Sequence, residues 1–344
     1  MKAQLFKHIL EFKRPGGTSR GILKTKETYI IELQNEGKKG IGECGIFRGL
    51  SYDDVPDYEE KLSWLCENIH LEKSILHQEL KHYPSIWFGL EQALLNLNFG
   101  EDYYFPSEFT AGKKPIEING LIWMGDVGFM KEQIQEKLEK GFHCIKLKIG
   151  VHWESEKEIL KNLRSHFPQQ DLELRVDANG GFSFKEAKIV LQELKDLEIH
   201  SIEQPIKSES RKVGKSEEER WSKMADLCRT TPTPIALDEE LIGIIEFEEK
   251  KQLLEKIQPQ YIILKPSLIG GIGGSDEWIS IAEEMGIGWW ITSALESNIG
   301  LNAIAQYTFT KNPQIPQGLG TGALFNNNFD SKLDLKGDQL WHKN

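Results

Sequence analysis

Cysteine is scarce in this sequence, with four residues in 344 at widely separated positions. None of them forms a CxxC pair or a Cys/His spacing typical of a metal site, so we interpret them as packing residues with reduced thiols. Positive charge is also under-represented, and the formal net charge is −11 at pH 7. That balance argues against general binding to nucleic acid or to an anionic membrane, although a local basic cluster can still hold an anionic small molecule.

Long apolar runs are missing as well. No stretch of about 18 uninterrupted apolar residues occurs, which argues against a transmembrane helix. The first apolar segment is interrupted by Lys2, Lys7, Glu11 and Lys13, so it does not resemble the hydrophobic region of a signal peptide. These absences, together with the isolated cysteines, predict a cytoplasmic protein.

The length and the pattern of the chain predict two domains. A chain of 344 residues with 39% hydrophobic and 28% charged residues exceeds the usual size of one core and is typical of a folded protein. Residues 1–112 mix strand-like and helical segments, which is typical of an α+β domain. From residue 113 strand-like and helical segments alternate, as in an α/β fold with a parallel sheet. The highly charged residues 207–220 are interpreted as a solvated loop with the start of a helix.

Charged residues stand at the carboxyl ends of successive predicted strands, at intervals of roughly 30 residues. They are Lys146, Lys148, Asp177, Glu203, Asp238 and Lys265. Each interval accommodates one strand, one helix and two loops, so a charged group recurs at the same point of a βα unit. Because active sites of βα barrels are built at the carboxyl ends of the strands, we expect these side chains to form one.

The two lysines of the first pair lie on the same face of their strand because side chains alternate along a strand. In a barrel, Lys146 and Lys148 would point inward, where burial and neighbouring cations lower a lysine pKa and produce a competent base. An isolated Lys-Leu-Lys segment is more typical of an exposed amphipathic strand. The acidic residues that follow favour the interior position.

Three carboxylates side by side repel one another unless a cation neutralises them. An all-oxygen set from Asp177, Glu203 and Asp238 suits Mg²⁺, and Mn²⁺ is a possible substitute. The alternative is three unrelated acids at helix caps or in surface loops. With the metal on a substrate carboxylate, Lys148 would remove the adjacent α-proton and Lys265 would stand on the opposite side.

These segments resemble the enolase superfamily, in the branch that includes muconate lactonizing enzyme, dipeptide epimerases and o-succinylbenzoate synthase. The matching segments are KLK, DANGG, EQP, DEE and LKPS. The resemblance implies an α+β capping domain at 1–112, a (β/α)₇β TIM-like barrel at 113–322 and a tail at 323–344 that returns to the cap. It also implies Lys148 as the base, Lys146 as its electrostatic partner, Lys265 as the opposite lysine, Asp177, Glu203 and Asp238 as Mg²⁺ ligands, and Asn179 and Glu239 as supporting residues.

Three further segments are similar to o-succinylbenzoate synthases of that branch and suggest contacts with substrate. The first is the 13–23 loop with Thr18, Ser19 and Arg20, for which a flexible basic turn is the alternative. The second and third are residues 293–307 and the glycine-rich residues 268–274. The candidates there are Ser293, Glu296, Ser297 and Asn298, at a predicted helix start near Asn298, and Gly270.

The expected substrate is a small carboxylate. Residues 316–325 contain no acid, which argues against an α-ammonium substrate such as a dipeptide, and residues 289–297 contain no histidine base. The resemblance therefore implies a hydro-lyase that dehydrates 2-succinyl-6-hydroxy-2,4-cyclohexadiene-1-carboxylate with Mg²⁺, in menaquinone biosynthesis. A racemase of N-acylated amino acids is the nearest alternative. A muconate cycloisomerase and an inert binding scaffold are less favoured.

Overall fold

The computed structural model describes residues 1–18, 21–209 and 216–343. The N-terminal domain begins with a three-stranded antiparallel sheet, formed by β1 (Lys2–Thr18), β2 (Gly21–Asn35) and β3 (Lys38–Cys44). Glu36 and Gly37 both have positive φ, 51° and 79°, and make the tight turn that joins β2 to β3. The inner face of this sheet carries apolar side chains that need a partner layer.

Three helices cover that face: α1 (Tyr58–Asn68), α2 (Lys73–Leu80) and α3 (Pro84–Phe99). Helix α3 packs closely on β3 because glycines meet there. A Cβ added to Gly42 would lie 2.0 Å from the carbonyl oxygen of Gly89. The result is a strand-rich α+β domain, as the sequence predicted.

The second domain is built on seven parallel strands that neighbour one another in chain order, after the short strand β4 (Ile116–Glu117). They are β5 (Gly120–Ile122), β6 (Cys144–Lys148), β7 (Glu173–Asp177), β8 (Ser201–Glu203), β9 (Ile235–Leu237), β10 (Tyr261–Leu264) and β11 (Gly288–Ile291). Side chains on both faces of the sheet are buried. On β6 and β7, apolar residues such as Ile145, Leu147 and Val176 alternate with charged residues such as Lys146 and Arg175, which face the other side.

Helices follow the strands, and most of them bury one apolar face. They are α4 (Val127–Glu139), α5 (Trp153–His166), α6 (Phe184–Asp196), α7 (Glu217–Thr230), α8 (Phe247–Ile257), α9 (Pro266–Ile269), α10 (Gly271–Glu284) and α11 (Asn298–Thr310). A 3₁₀ turn spans Glu239–Leu241. Helix α6 shows why such segments form: Ser183 and Glu186 make a capping box, and Ala187, Val190 and Leu194 face the sheet.

The two edge strands of the sheet approach a common segment. Thr292, after β11, makes a parallel bridge with Gly318, and Ile118, before β5, makes one with Gln317. The main-chain N–H groups of Asn119 and Gly318 donate to Gln317 and Ile291 at 2.9 Å each. The expected curled parallel sheet is confirmed, whereas its complete closure into a (β/α)₇β barrel stays a prediction.

The C-terminal residues contact both domains. The N–H of Lys13 donates to the carbonyl of Leu324 at 2.8 Å, and Phe325 packs edge-on against Phe12 in the N-terminal domain. The last hairpin, β12 (Leu333–Lys336) and β13 (Gln339–His342), pairs with β4 of the second domain. The domain limits 1–112, 113–322 and 323–344 stay predictions. Within the described ranges, each helix is too short or too polar to cross a membrane.

Candidate active site

The register of the parallel strands brings the predicted charged residues to one level. Lys148 pairs with Asp177 across β6 and β7, and Asp177 pairs with Glu203 across β7 and β8. Asp238 and Lys265 directly follow β9 and β10. Since the side chains at this level point to the same side of the curled sheet, acids and lysines from five strands share one buried space.

Each of the three lysines contacts a carboxylate. Lys146 Nζ donates to Glu203 Oε2 at 2.6 Å, and Lys148 Nζ donates to Asp177 Oδ2 at 2.6 Å. Lys265 Nζ donates to Asp238 Oδ2 and lies 3.6 Å from Glu203 Oε1. In each buried ion pair the lysine and the carboxylate stabilise one another, so loss of one partner would leave an uncompensated charge in the interior.

The pKa values reflect this mutual compensation. Burial by itself would raise the pKa of Glu203, but the ammonium groups of Lys146, Lys265 and Lys148 outweigh it and lower that pKa to about 2. Burial likewise opposes the charge of Lys146 and Lys265, and the neighbouring carboxylates reverse its effect and raise both pKa values. The lowered pKa expected for Lys146 is therefore wrong, because this lysine faces acids.

Asp238 differs from Glu203. Burial raises its pKa well above the usual range, the Lys265 ammonium opposes this rise, and the Glu239 and Glu203 carboxylates add to it. Lys265 therefore compensates the burial of Asp238 incompletely. A further cation would complete this compensation.

Asn179 and Glu239 extend the cluster. Asn179 has a positive φ of 43°, which a short polar side chain tolerates, and its amide oxygen accepts from Lys148 Nζ at 2.7 Å. Its Nδ2 donates to Glu239 Oε1 at 3.1 Å, and its main-chain N–H donates to Asp177 Oδ1 at 2.9 Å. Asn179 therefore orients both Lys148 and Asp177.

The donor set is compatible with a hard divalent cation. Asp177, Glu203 and Asp238 offer oxygen ligands from three neighbouring strand ends, and Glu203 Oε1 is buried without a hydrogen-bond partner. In this structure each of these acids also accepts from a lysine at one oxygen, which is Oδ2 of Asp177, Oε2 of Glu203 and Oδ2 of Asp238. In the part of the chain that the structure describes, no three His, Cys, Asp or Glu side chains are already arranged around a metal position.

A cavity of about 70 Å³ adjoins the cluster and contacts Lys146, Lys148, Asp177, Glu203 and Lys265. Its remaining walls are largely apolar. They include Leu23, Phe47, Leu50, Leu121, Trp123 and Leu295. The first three come from the N-terminal domain, so both domains form the cavity.

Phe47, Leu50, Asn119 and Thr321 also line this cavity but were not predicted from the sequence. The sequence contained a signal for Asn119, because this polar residue stands in an otherwise apolar strand segment. In the structure its Oδ1 is buried without a hydrogen-bond partner. Phe47 and Leu50 follow β3 in a loop of the other domain. Their position depends on how the domains pack, and no local pattern carried that information.

The predicted substrate contacts fall into different places. Ser293 lines the cavity, and its Oγ lies 2.6 Å from Thr321 Oγ1. Glu296, Ser297 and Asn298 do not border it, because hydrogen bonds turn them toward other parts of the fold. Helix α11 begins at Asn298 as predicted, but the main-chain N–H groups at its start already donate to side chains of the protein.

The other candidates lie outside this cavity or outside the described residues. Gly270 borders a separate cavity of about 580 Å³ between α2, α3 and the α8–α10 region. This cavity is larger, but its described lining lacks the lysines and acids of the strand ends, so we place the chemistry in the smaller one. Ser19 and Arg20 lie outside the described residues, and for Thr18 only the main chain, at the end of β1, is described.

Two family models match the chain. The one described as "Enolase C-terminal domain-like" matches residues 129–333, and the one described as "MenC, N-terminal domain" matches residues 1–97. An o-succinylbenzoate synthase of Desulfotalea psychrophila is 44% identical and covers 96% of both chains. The crystal structure of MenC from that organism superposes with a TM-score of 0.86, at 40% identity over 99% of both chains.

Two more distant relatives widen the comparison. An N-succinylamino acid racemase of Thermus thermophilus is 32% identical over 82% of this chain and 75% of its own length. An o-succinylbenzoate synthase of Thermosynechococcus elongatus, solved with Mg in its active site, has a TM-score of 0.72 at 23% identity over 92% of both chains. The chain belongs to the enolase superfamily and, within it, to the o-succinylbenzoate synthase family.

Proposed function

We propose that this protein is an o-succinylbenzoate synthase, a hydro-lyase that removes water from 2-succinyl-6-hydroxy-2,4-cyclohexadiene-1-carboxylate in the menaquinone pathway of the cytoplasm. The observation that carries the proposal is the buried cluster of Lys148, Asp177, Glu203 and Lys265 at the strand ends, in a chain that matches a synthase over nearly its whole length. The aromatic product makes such a dehydration strongly favourable.

Asp177, Glu203 and Asp238 are the proposed ligands of a divalent cation, Mg²⁺ or Mn²⁺. The incomplete compensation of the buried Asp238 carboxyl and the Oε1 atom of Glu203, which is buried without a hydrogen-bond partner, support this assignment. A cation bound there would neutralise the carboxylates, stabilise negative charge on the substrate carboxylate and release the three lysines from their ion pairs. The Mg in the Thermosynechococcus relative agrees with this choice.

The lysines perform the proton transfers in this proposal. Lys148 takes the proton from the carbon that bears the substrate carboxylate and then gives it to the departing hydroxyl group, so that water leaves and the ring becomes aromatic. Lys146 and Lys265 remain protonated in this proposal, and their positive charges stabilise the intermediate anion. Asn179 holds Lys148 at the correct position.

The apolar walls suit a flat ring, and the polar residues at one side suit the succinyl group. Leu121, Trp123 and Leu295 contact the cavity from the second domain, and Phe47 and Leu50 cover it from the first. Ser293 and Asn119 are the proposed polar contacts, and Arg20 remains a candidate for the succinyl carboxylate. We also infer that Gln317 and Gly318 close residues 113–322 into a complete barrel.

The test is direct. Purified protein is incubated with the cyclohexadiene substrate and Mg²⁺, and the loss of its ultraviolet absorbance is followed while mass spectrometry identifies the product. The proposal predicts a product lighter than the substrate by one water. Recovery of unchanged substrate, under conditions in which the Desulfotalea synthase is active, would contradict it.

Racemisation of N-succinylated amino acids is a second candidate. It is favoured by the Thermus relative and by the two lysines, Lys148 and Lys265, that line the cavity from the ends of β6 and β10. A racemase needs a proton donor and an acceptor on the two faces of one carbon, and in this proposal these lysines supply them. Exchange of the α-proton for deuterium from solvent would reveal it. The same lysine pair would serve both reactions, so the two activities are compatible.

A further inference from the structure

The segment between β11 and α11 forms one wall of the catalytic cavity. Ser293, Ala294 and Leu295 contact the cavity directly, whereas the next two residues, Glu296 and Ser297, are completely buried and turn away from it. Contacts that hold Glu296 and Ser297 in place therefore also hold this wall of the cavity in place. Their partners come from three different parts of the chain.

Glu43 of β3 holds the start of α11 from the other domain. Its carboxylate, fully buried, accepts the main-chain N–H groups of Ser297 and Gly300 at 2.9 Å each, and it also accepts the Ser297 hydroxyl. The hydroxyl of Thr28 donates to it at 2.8 Å. A carboxylate at a helix N-terminus satisfies free N–H groups and interacts favourably with the helix dipole. Here that carboxylate stands 254 positions away in the sequence.

Glu296 joins the same wall to the lysine on the neighbouring strand. Its Oε1 accepts from the Ser267 hydroxyl at 2.5 Å, and its Oε2 accepts from the N–H of Ala294 at 2.6 Å. Ser267 lies two residues after Lys265. Burial raises the pKa of Glu296, and the nearby ammonium of Lys26, on β2, opposes this rise. The acid is thus part of a continuous polar network that runs from the N-terminal domain to two strand ends.

We propose that Glu43 is a positioning residue for the dehydration: it holds residues 293–297 in the conformation that binds the substrate, by capping α11 across the domain interface. The inference rests on the proposed function. Glu43 does not border the cavity, so its effect on substrate passes through Ser297 and the wall. In this arrangement the N-terminal domain shapes the pocket from behind as well as covering it.

Glu43→Gln is the first variant, because glutamine keeps the size of the side chain and loses its charge. We expect KM to rise at least about tenfold while kcat changes less than about threefold, since substrate binding weakens and the lysines remain in place. Hydrogen exchange of the N–H groups of residues 297–300 should accelerate. Ser216→Ala, which removes an exposed capping box from α7, is the matched control and should leave KM and that exchange unchanged.

The Ser297→Ala variant and the double variant with Glu43→Gln test whether Glu43 affects substrate binding through Ser297. If Ser297 acts through Glu43, the double variant has the KM of Glu43→Gln alone, because both changes break one interaction. If the two effects on KM multiply, Ser297 has its own contact with substrate and the proposal is overturned. An unchanged KM and unchanged exchange in Glu43→Gln would also overturn it. Absence of synthase turnover in the wild type would refute the proposed function instead, and the exchange measurements would still test the cap.

Discussion

Three lysines and three carboxylates share one buried space at the strand ends, so the charge of each residue depends on the others. Lys146 and Lys265 are stabilised as cations by the acids that they contact, and Glu203 is stabilised as an anion by the lysines. A substitution that removes one partner of a buried pair costs more than the pair itself contributes. Single variants at this site therefore need a readout of binding as well as of rate.

Lys148→Ala should abolish turnover and leave substrate binding within about an order of magnitude, because the proposed metal and carboxylate contacts remain. The rate is measured by ultraviolet absorbance, and binding of the product by calorimetry. Lys161→Ala, at a surface position of α5, serves as the control and should keep full activity. Full turnover in Lys148→Ala would remove that lysine from the role of base.

Glu203→Gln tests the proposed ligands without an assay of activity. In the wild type, Mg²⁺ should raise the Tm as its concentration increases, because a ligand that binds only the folded state stabilises it by mass action. The variant loses one negative charge from the carboxylate cluster, so the Tm shift should largely disappear. Glu60→Gln, exposed on α1, should keep the shift. A normal Mg²⁺ response in Glu203→Gln would refute the role of Glu203 as a ligand.

At the scale of elements, helices α10 and α11 are both capped by glutamates of the N-terminal domain. Glu43 caps α11, and Glu91 of α3 accepts the N–H of Ile272 at 2.7 Å, at the start of α10. This contact explains the glycine at position 271, because a Cβ on Gly271 would lie 2.1 Å from Glu91 Oε2. The glycine-rich segment thus accommodates a glutamate of the protein itself.

The stability of this contact should depend on pH. Burial raises the pKa of Glu91 from its ordinary value of 4.5 to about 7, while the N–H of Ile272 and the charge of Lys73 oppose the rise and Asp276 adds to it. The folded state thus holds more protons than the unfolded state between these values. The stabilisation from this group is fully present below pH 4.5 and is lost as the pH rises through 7.

Glu91→Gln removes that titration. The free energy of unfolding of the wild type, relative to the variant, should fall by about 3 kcal/mol at most between pH 4.5 and pH 8. Urea denaturation of both proteins at several pH values measures the difference, with Glu60→Gln as the exposed control. Parallel pH profiles for the wild type and Glu91→Gln would contradict the raised pKa.

The strand ends were predictable from sequence, whereas the contacts between domains were not. The regular spacing of Lys148, Asp177 and Glu203 follows from the repeated βα unit, so an inference from local pattern reached them. The role of Ser297 depends on Glu43, and nothing within a short window of sequence connects these residues. The helix start near Asn298 was predicted correctly, but the carboxylate that occupies it belongs to the protein.

At the scale of the whole molecule, the N-terminal domain, the curled sheet and the C-terminal tail are joined at several places. The N-terminal domain supplies Phe47 and Leu50 to the cavity and Glu43 and Glu91 to two helices of the second domain. The tail contacts Lys13 on one side and β4 on the other. The proposed substrate site therefore requires that the two domains keep a fixed position relative to each other.

We propose that the buried cluster dehydrates the cyclohexadiene carboxylate with the help of a divalent cation. The most direct test compares initial rates for the purified protein with Mg²⁺, after EDTA, and after Mg²⁺ is restored in excess, with Lys148→Ala measured in parallel. We expect rapid loss of the cyclohexadiene absorbance with Mg²⁺. EDTA should abolish this loss, added Mg²⁺ should restore it, and Lys148→Ala should not show it. Turnover that survives EDTA, or that persists in Lys148→Ala, would contradict this proposal.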